Sequence, residues 1–149
     1  MSDAAWRWRN VPLPEAHLAL MGAGIVLGFF FPWRLFPTPW LGPVLGGPLV
    51  VAGVTLAAWA VRAAGEVDLD RSDSLVARGP YAFSRNPMYL AWTILYLGIA
   101  FVLSSGWLMA LLPAVILLTH LVILREEAHM DARLGEVYRE YRARVRRYL

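Results

Sequence analysis

The sequence predicts an all-α, polytopic membrane protein with about four transmembrane helices. Spans three and four are expected to form a tight hairpin, and a C-terminal amphipathic helix is expected to lie on the cytoplasmic side. Three observations carry that prediction. Of the 149 residues, 58% are apolar or aromatic and only 17% are charged, against about 25% charged in ordinary soluble chains. Two uncharged runs have spanning length, and a third stretch, residues 86–124, holds no Lys, Arg, Asp or Glu. The basic residues are all Arg, and half of the 14 fall after Leu124, which reads as membrane topology rather than nucleic-acid binding. Seven Trp, six Tyr and six Phe also argue against disorder, because a disordered chain lacks the apolar surface that offsets ordering entropy. The absence of Cys excludes disulfides, thiolate catalysis and Cys-ligated metal centres.

The elements follow in order within one domain, residues 1–149. A hydrocarbon core of about 30 Å takes roughly 20 apolar helical residues. Residues 16–33 supply the first span. Arg7 and Arg9 before it imitate a signal peptide, but no small-residue cleavage site follows Phe31-Pro32-Trp33, so the segment reads as a retained anchor. The second span lies within residues 35–61 and is expected to begin after Pro43, because Pro37, Pro39 and Pro43 resist helix. At 1.5 Å per residue, residues 86–124 measure about two bilayer thicknesses. Ser104, Ser105 and Gly106 divide them into helices over 89–103 and 107–124. Two Arg precede the first span, one follows it, four lie between the second and third, none in the hairpin turn and seven after Leu124. That count puts both termini in the cytoplasm, and the Arg-only basic content points to a bacterial inner membrane.

Several motifs have a structural and a functional reading. Gly22-Ala-Gly24-Ile-Val-Leu-Gly28 matches a nucleotide loop only superficially, since it sits inside a span. Gly24 and Gly28 are expected to pack helices instead. Glu126-Glu127-Ala-His129 holds one Glu-x-x-His, whereas di-iron bundles use two copies with further Glu, so no metal is expected. Met130, Leu134, Tyr138, Tyr141, Val145 and Tyr148 recur as one helical stripe, interleaved with six Arg; taken alone, this is an interfacial helix on anionic headgroups. Glu126 and Glu127 strain that reading, because negative charge gains nothing beside an anionic surface. In the loop before span three, Gly79-Pro80 marks a turn, Pro87 suits a first helical turn, Asn86 is placed to cap it, and Tyr89 to anchor its end as a belt residue. These residues serve equally as a helix start or, with Arg78 and Arg85 facing the carboxylate pair, as a polar ligand pocket; spacing leaves both open.

The ordered set Arg78-Gly79-Pro80-Tyr81, Ser84-Arg85-Asn86-Pro87-Met88-Tyr89-Leu90, Glu126-Glu127 and Leu134-Gly135-x-x-Tyr138-x-x-Tyr141 resembles the isoprenylcysteine carboxyl methyltransferase and phospholipid methyltransferase superfamily. The likeness covers residues 75–148, about half the chain. It implies an integral-membrane enzyme that binds S-adenosylmethionine near the cytoplasmic surface and methylates a lipid-like or small amphipathic substrate entering from the bilayer. By resemblance, Tyr81, Asn86, Pro87, Tyr89, Leu90, Glu126 and Glu127 line the cofactor pocket and Tyr138 and Tyr141 close it. Asn86 stands where isoprenylcysteine enzymes commonly have His, so no role is given to an imidazole there.

The implied reaction is in-line displacement at the cofactor's methyl carbon, by a carboxylate or by a lipid amine. Arg78, Arg85 or Arg142 would orient a carboxylate nucleophile, and Glu127 would accept the proton of an amine. Glu127 is expected at an accessible pocket rim, so that its replacement removes cofactor binding and spares folding. Two other classes compete: a non-catalytic membrane protein whose tail binds anionic lipids, and an NADPH-dependent membrane reductase. Membrane lipids are expected partners in each case and nucleic acid in none.

Overall fold

The apolar runs become helices in the computed structural model, which describes residues 14–65 and 75–149. Arg7 and Arg9 lie outside the described residues. Helix α1 covers Glu15–Phe30 and α2 covers Leu41–Gly65; a 3-10 turn over Gly79–Ala82 leads to α3, Pro87–Val102; α4 covers Gly106–Leu134 and α5 covers Glu136–Arg144. Among the described residues there is no strand, only isolated bridges between Arg34 and Ser105 and between Ser84 and Arg146. Helices α2 and α4 are long and apolar enough to cross a membrane. Helices α1 and α3 are also apolar but hold 16 residues each, about 24 Å of helix.

Proline placement differs from expectation in a way the backbone explains. Helix α2 starts at Leu41 rather than after Pro43, because a first-turn residue has no intrahelical use for its N–H. Pro48 and Pro113 stand in the interiors of α2 and α4. The break between α3 and α4 falls at Leu103, Ser104 and Ser105. Ser104 has φ +48°, and the Ser105 hydroxyl caps α4 by accepting from the Leu108 N–H at 3.3 Å.

Helix α3 packs most closely on α2, and α1 packs on α4. Lipid chains are as apolar as leucine, so helices associate in a bilayer through close van der Waals approach, which small residues allow. A Cβ at Gly46 would collide with the Gly98 carbonyl oxygen, and one at Gly53 would lie 2.8 Å from the Leu95 nitrogen. On α1, a Cβ at Gly24 would lie 2.5 Å from Leu108 Cδ2, whereas Gly28 has only Ser105 Oγ at 3.9 Å. Gly24 therefore packs against α4 as expected and Gly28 only loosely. Tyr96, Ala100, Leu108 and Val115 form the sealed centre of the bundle, where the Tyr96 hydroxyl donates to the Leu108 carbonyl at 3.1 Å. Buried His17 meets Thr93 Oγ1 at 3.0 Å, and that hydroxyl donates to the Tyr89 carbonyl.

The expected single stripe over residues 130–148 is corrected. Met130 and Leu134 lie on α4, Gly135 breaks the helix at φ +54°, Tyr138 and Tyr141 lie on α5, and Val145 is extended. The stripe is real as a buried surface, since Leu134, Tyr138 and Tyr141 cluster with Leu75, Met130 and Val145. It is not one helix, because glycine adopts a positive φ that the other residues resist.

Candidate functional site

The fold gathers its polar residues where α2 ends and α3 begins. Gly79 (φ +59°) turns the chain closely against Ala63 and Trp59, and Pro80 and Tyr81 follow in the 3-10 turn. Tyr81 packs on Ala63, Ala64 and Val76, and its carbonyl accepts the Tyr141 hydroxyl at 2.7 Å, which fastens α5 over the turn. Pro87 then opens α3.

Residues 145–148 fold back across this opening. The Arg85 N–H donates to the Arg146 carbonyl at 2.8 Å. Ser84 Oγ and Asn86 Nδ2 both donate to the Arg147 carbonyl, at 3.3 and 3.2 Å, and Tyr148 Oη meets His120 Nδ1 at 2.6 Å. Asn86 precedes α3 as expected, but its side chain does not cap the helix; its Nδ2 also donates to Glu127 Oε1 at 3.3 Å. Tyr89 is likewise no belt anchor: it is buried and donates its hydroxyl to Glu126 Oε1 at 2.8 Å.

Glu127 is the hub. Arg147 grips both its oxygens, with Nε at 3.1 Å and Nη2 at 2.9 Å from Oε2 and Nε at 3.2 Å from Oε1. Arg85 reaches it only through Nη2, at 3.3 Å. The Glu127 and Arg85 side chains are 9% and 8% exposed, so Glu127 is not at an accessible rim. Its lone pairs are used by two guanidinium groups and an amide, which leaves it poorly suited to accept a proton. Arg85 is the opposite case: its Nε and Nη1 are buried without a hydrogen-bond partner, and such donors carry a desolvation penalty until an acceptor arrives.

These groups line a cavity of about 400 Å³, within the range of roughly 300–1,000 Å³ common for small-molecule sites. Of the residues expected in the site, Tyr81, Arg85, Asn86, Pro87, Tyr89, Glu126, Glu127, Tyr138 and Tyr141 are brought together there. Arg78, Leu90 and Arg142 are not among the lining residues; Arg78 and Arg142 are exposed, and Leu90 sits on α3 with its N–H donating to the Asn86 carbonyl. Ala64, Leu75, Val76, Met88 and Met130 add apolar wall, and His129 and Arg133 add polar rim. Arg147 has no signal in the sequence that separates it from its Arg neighbours, because its role depends on the chain folding back. Ser84 belongs to the motif but carried no assignment.

Electrostatics keep the phenols neutral. Burial, then the Glu126 charge, pushes the Tyr81 hydroxyl up to about 12. Burial also raises Tyr138 and Tyr141, with Glu127 adding to both; the Arg85 charge partly offsets this in both, and its hydrogen bond to the Tyr138 hydroxyl does so in Tyr138. All three are hydrogen-bond donors at neutral pH rather than bases. Glu126 is exposed and lines the same cavity as Arg85, so an acid and a half-paired cation share one cavity. Among the described residues no group of three or more His, Cys, Asp or Glu is placed to hold a metal.

No curated protein matches the chain. The family model described as phospholipid methyltransferase matches residues 41–137, from the start of α2 into α5, and so takes in the Gly-Pro-Tyr turn, the Arg-Asn-Pro box, both adjacent carboxylates and the two helices long enough to cross a membrane. With well over half of its length matched in this way, the chain belongs to the phospholipid methyltransferase family of membrane methyltransferases.

Proposed function

We propose that the protein transfers a methyl group from S-adenosylmethionine to a lipid-like or small amphipathic acceptor, at the cytoplasmic boundary of a bacterial inner membrane. The observation that carries this reading is Arg85, buried at the cavity with two unsatisfied nitrogens and an exposed acid, Glu126, on the cavity wall. A ligand with a carboxylate and an ammonium at one end satisfies both groups, and the cofactor's amino-acid end has that pair. Arg85 would hold the carboxylate through charge-assisted hydrogen bonds, and Glu126 the ammonium or the ribose hydroxyls. The apolar walls from Val76, Met88 and Met130 suit the remainder. The arginine distribution supports a cytoplasmic site.

Held at its amino-acid end by Arg85 and Glu126, the cofactor would supply an electrophilic methyl group with a neutral thioether as the leaving group. The protein's own contribution is positioning and exclusion of water. Tyr138 and Tyr141 line the cavity beside apolar walls, and for a carboxylate acceptor opposite charges would meet in a low-polarity setting where their neutralisation in the transition state is favoured. For a carboxylate acceptor the product is a methyl ester and no base is needed. For an amine acceptor a proton must leave, and Glu126, held by one phenol, is the better acceptor than Glu127.

The test is to incubate the detergent-purified protein with cofactor labelled in the methyl group and a bacterial lipid extract. Label appearing in an organic-phase product supports the reading, and release of volatile methanol by mild base marks an ester rather than an N-methyl group. Absence of label from every lipid and small-molecule fraction contradicts it.

A further inference from the structure

We infer that Arg147 is a positioning residue whose docking keeps Arg85 open to the ligand carboxylate, a reading that rests on the proposed cofactor site. The inference comes from how two cations share one carboxylate. Glu127 spends three of its contacts on Arg147 and only one on Arg85. That division leaves Arg85 Nε and Nη1 unpaired in the cavity wall and leaves the three charges with a net value of +1, the sign that attracts an anion. Without Arg147 the Glu127 carboxylate would be free to take Arg85 in a two-pronged grip, as guanidinium and carboxylate prefer. The cluster would then be neutral and self-satisfied, and the carboxylate subsite would close.

Arg147 reaches Glu127 only because backbone contacts hold its segment in place: Arg146 and Arg147 carbonyls accept from the Arg85 N–H, Ser84 Oγ and Asn86 Nδ2. These contacts use main-chain atoms of residues 146 and 147, so replacing the Arg147 side chain leaves them intact. The Arg147 side chain is itself 35% exposed, and its removal opens no sealed core. Loss of its charge is thereby separable from loss of the segment.

The experiment compares two ligands by calorimetry on the full chain in detergent: S-adenosylhomocysteine and its analogue lacking the carboxylate. The ratio of their affinities reads the carboxylate subsite alone, which a general structural defect does not change. The native protein is expected to favour the carboxylate-bearing ligand by about tenfold or more, as for a hydrogen bond to a charged group. In Arg147→Met the ratio should fall toward one while the analogue still binds. Arg147→Lys should retain part of it. The decisive variant is Glu127→Gln combined with Arg147→Met, which restores the net charge of +1 around Arg85 and should restore the ratio. Equal weakening of both ligands in Arg147→Met, or no recovery in the double variant, overturns the inference and leaves the methyltransferase reading standing. A native protein that binds both ligands equally overturns it too, and one that binds neither removes the cofactor reading with it.

Discussion

Replacing Glu127 by Ala tests whether the carboxylate is a structural hub. In the folded protein it answers Arg85, Asn86 and Arg147, with Arg85 and Glu127 both nearly sealed from solvent. Removing one member of a buried ion pair strands the other, at a cost of about 3–5 kcal/mol. Arg85 would then lose its only carboxylate partner and keep just its contact with the Tyr138 hydroxyl, while Asn86 keeps the Arg147 carbonyl. For a chain of this size each kcal/mol moves the unfolding midpoint by about 2–4 °C, so the expected fall is about 6–20 °C. Glu126→Ala is the control: Glu126 is exposed and accepts one phenol, a hydrogen bond to a charged group whose loss costs at most about 1.5–3 kcal/mol and strands no buried cation, so its midpoint should fall less. Thermal unfolding followed by tryptophan fluorescence in one detergent compares the variants directly. A Glu127→Ala midpoint within a degree or two of the native value, or equal to that of Glu126→Ala, would refute the assignment of Glu127 as the hub.

Two further predictions concern packing and pH. Gly46→Ala pushes a methyl group into the Gly98 backbone across the α2–α3 contact and should cost about 1–3 kcal/mol, whereas adjacent Gly47, with nothing near its Cβ position, should become up to about 1 kcal/mol more stable as Ala; thermal midpoints of the pair check both. Spectrophotometric titration should show Tyr81 still protonated at pH 10 and ionising near 12. A phenol whose folded pKa stands above its unfolded value of about 10 stabilises the fold fully below pH 10, and that contribution fades as pH rises through the folded value. Tyr81→Phe should therefore flatten the alkaline loss of stability, and an unchanged alkaline profile contradicts the assignment.

The helices were legible because uncharged runs near spanning length admit few alternatives. Their pairing was not, since Gly46 and Gly98 look like any other glycines until the two backbones are seen in contact. The Tyr138 and Tyr141 stripe was legible as a buried face, but period alone hid the turn at Gly135, where one positive φ redirects the chain. The motif order located the cavity and nine of its lining residues. It did not divide labour between the adjacent acids: Glu126 and Glu127 are neighbours in sequence, yet consecutive helical positions point about 100° apart, so one faces Tyr89 and the other the two arginines. Arg147 escaped because its partner lies 20 residues away on another element, reached only after the chain doubles back. Arg78 and Arg142 belong to the same motif region yet stay exposed, because residue type does not tell which arginine turns inward.

The most direct test of the central claim is calorimetric titration of the detergent-purified native chain with S-adenosylmethionine and S-adenosylhomocysteine, with NADPH as the control nucleotide. Saturable binding of both sulfur ligands at one site, with no heat from NADPH, is the predicted result. A folded protein that binds neither, or that binds NADPH instead, contradicts the account.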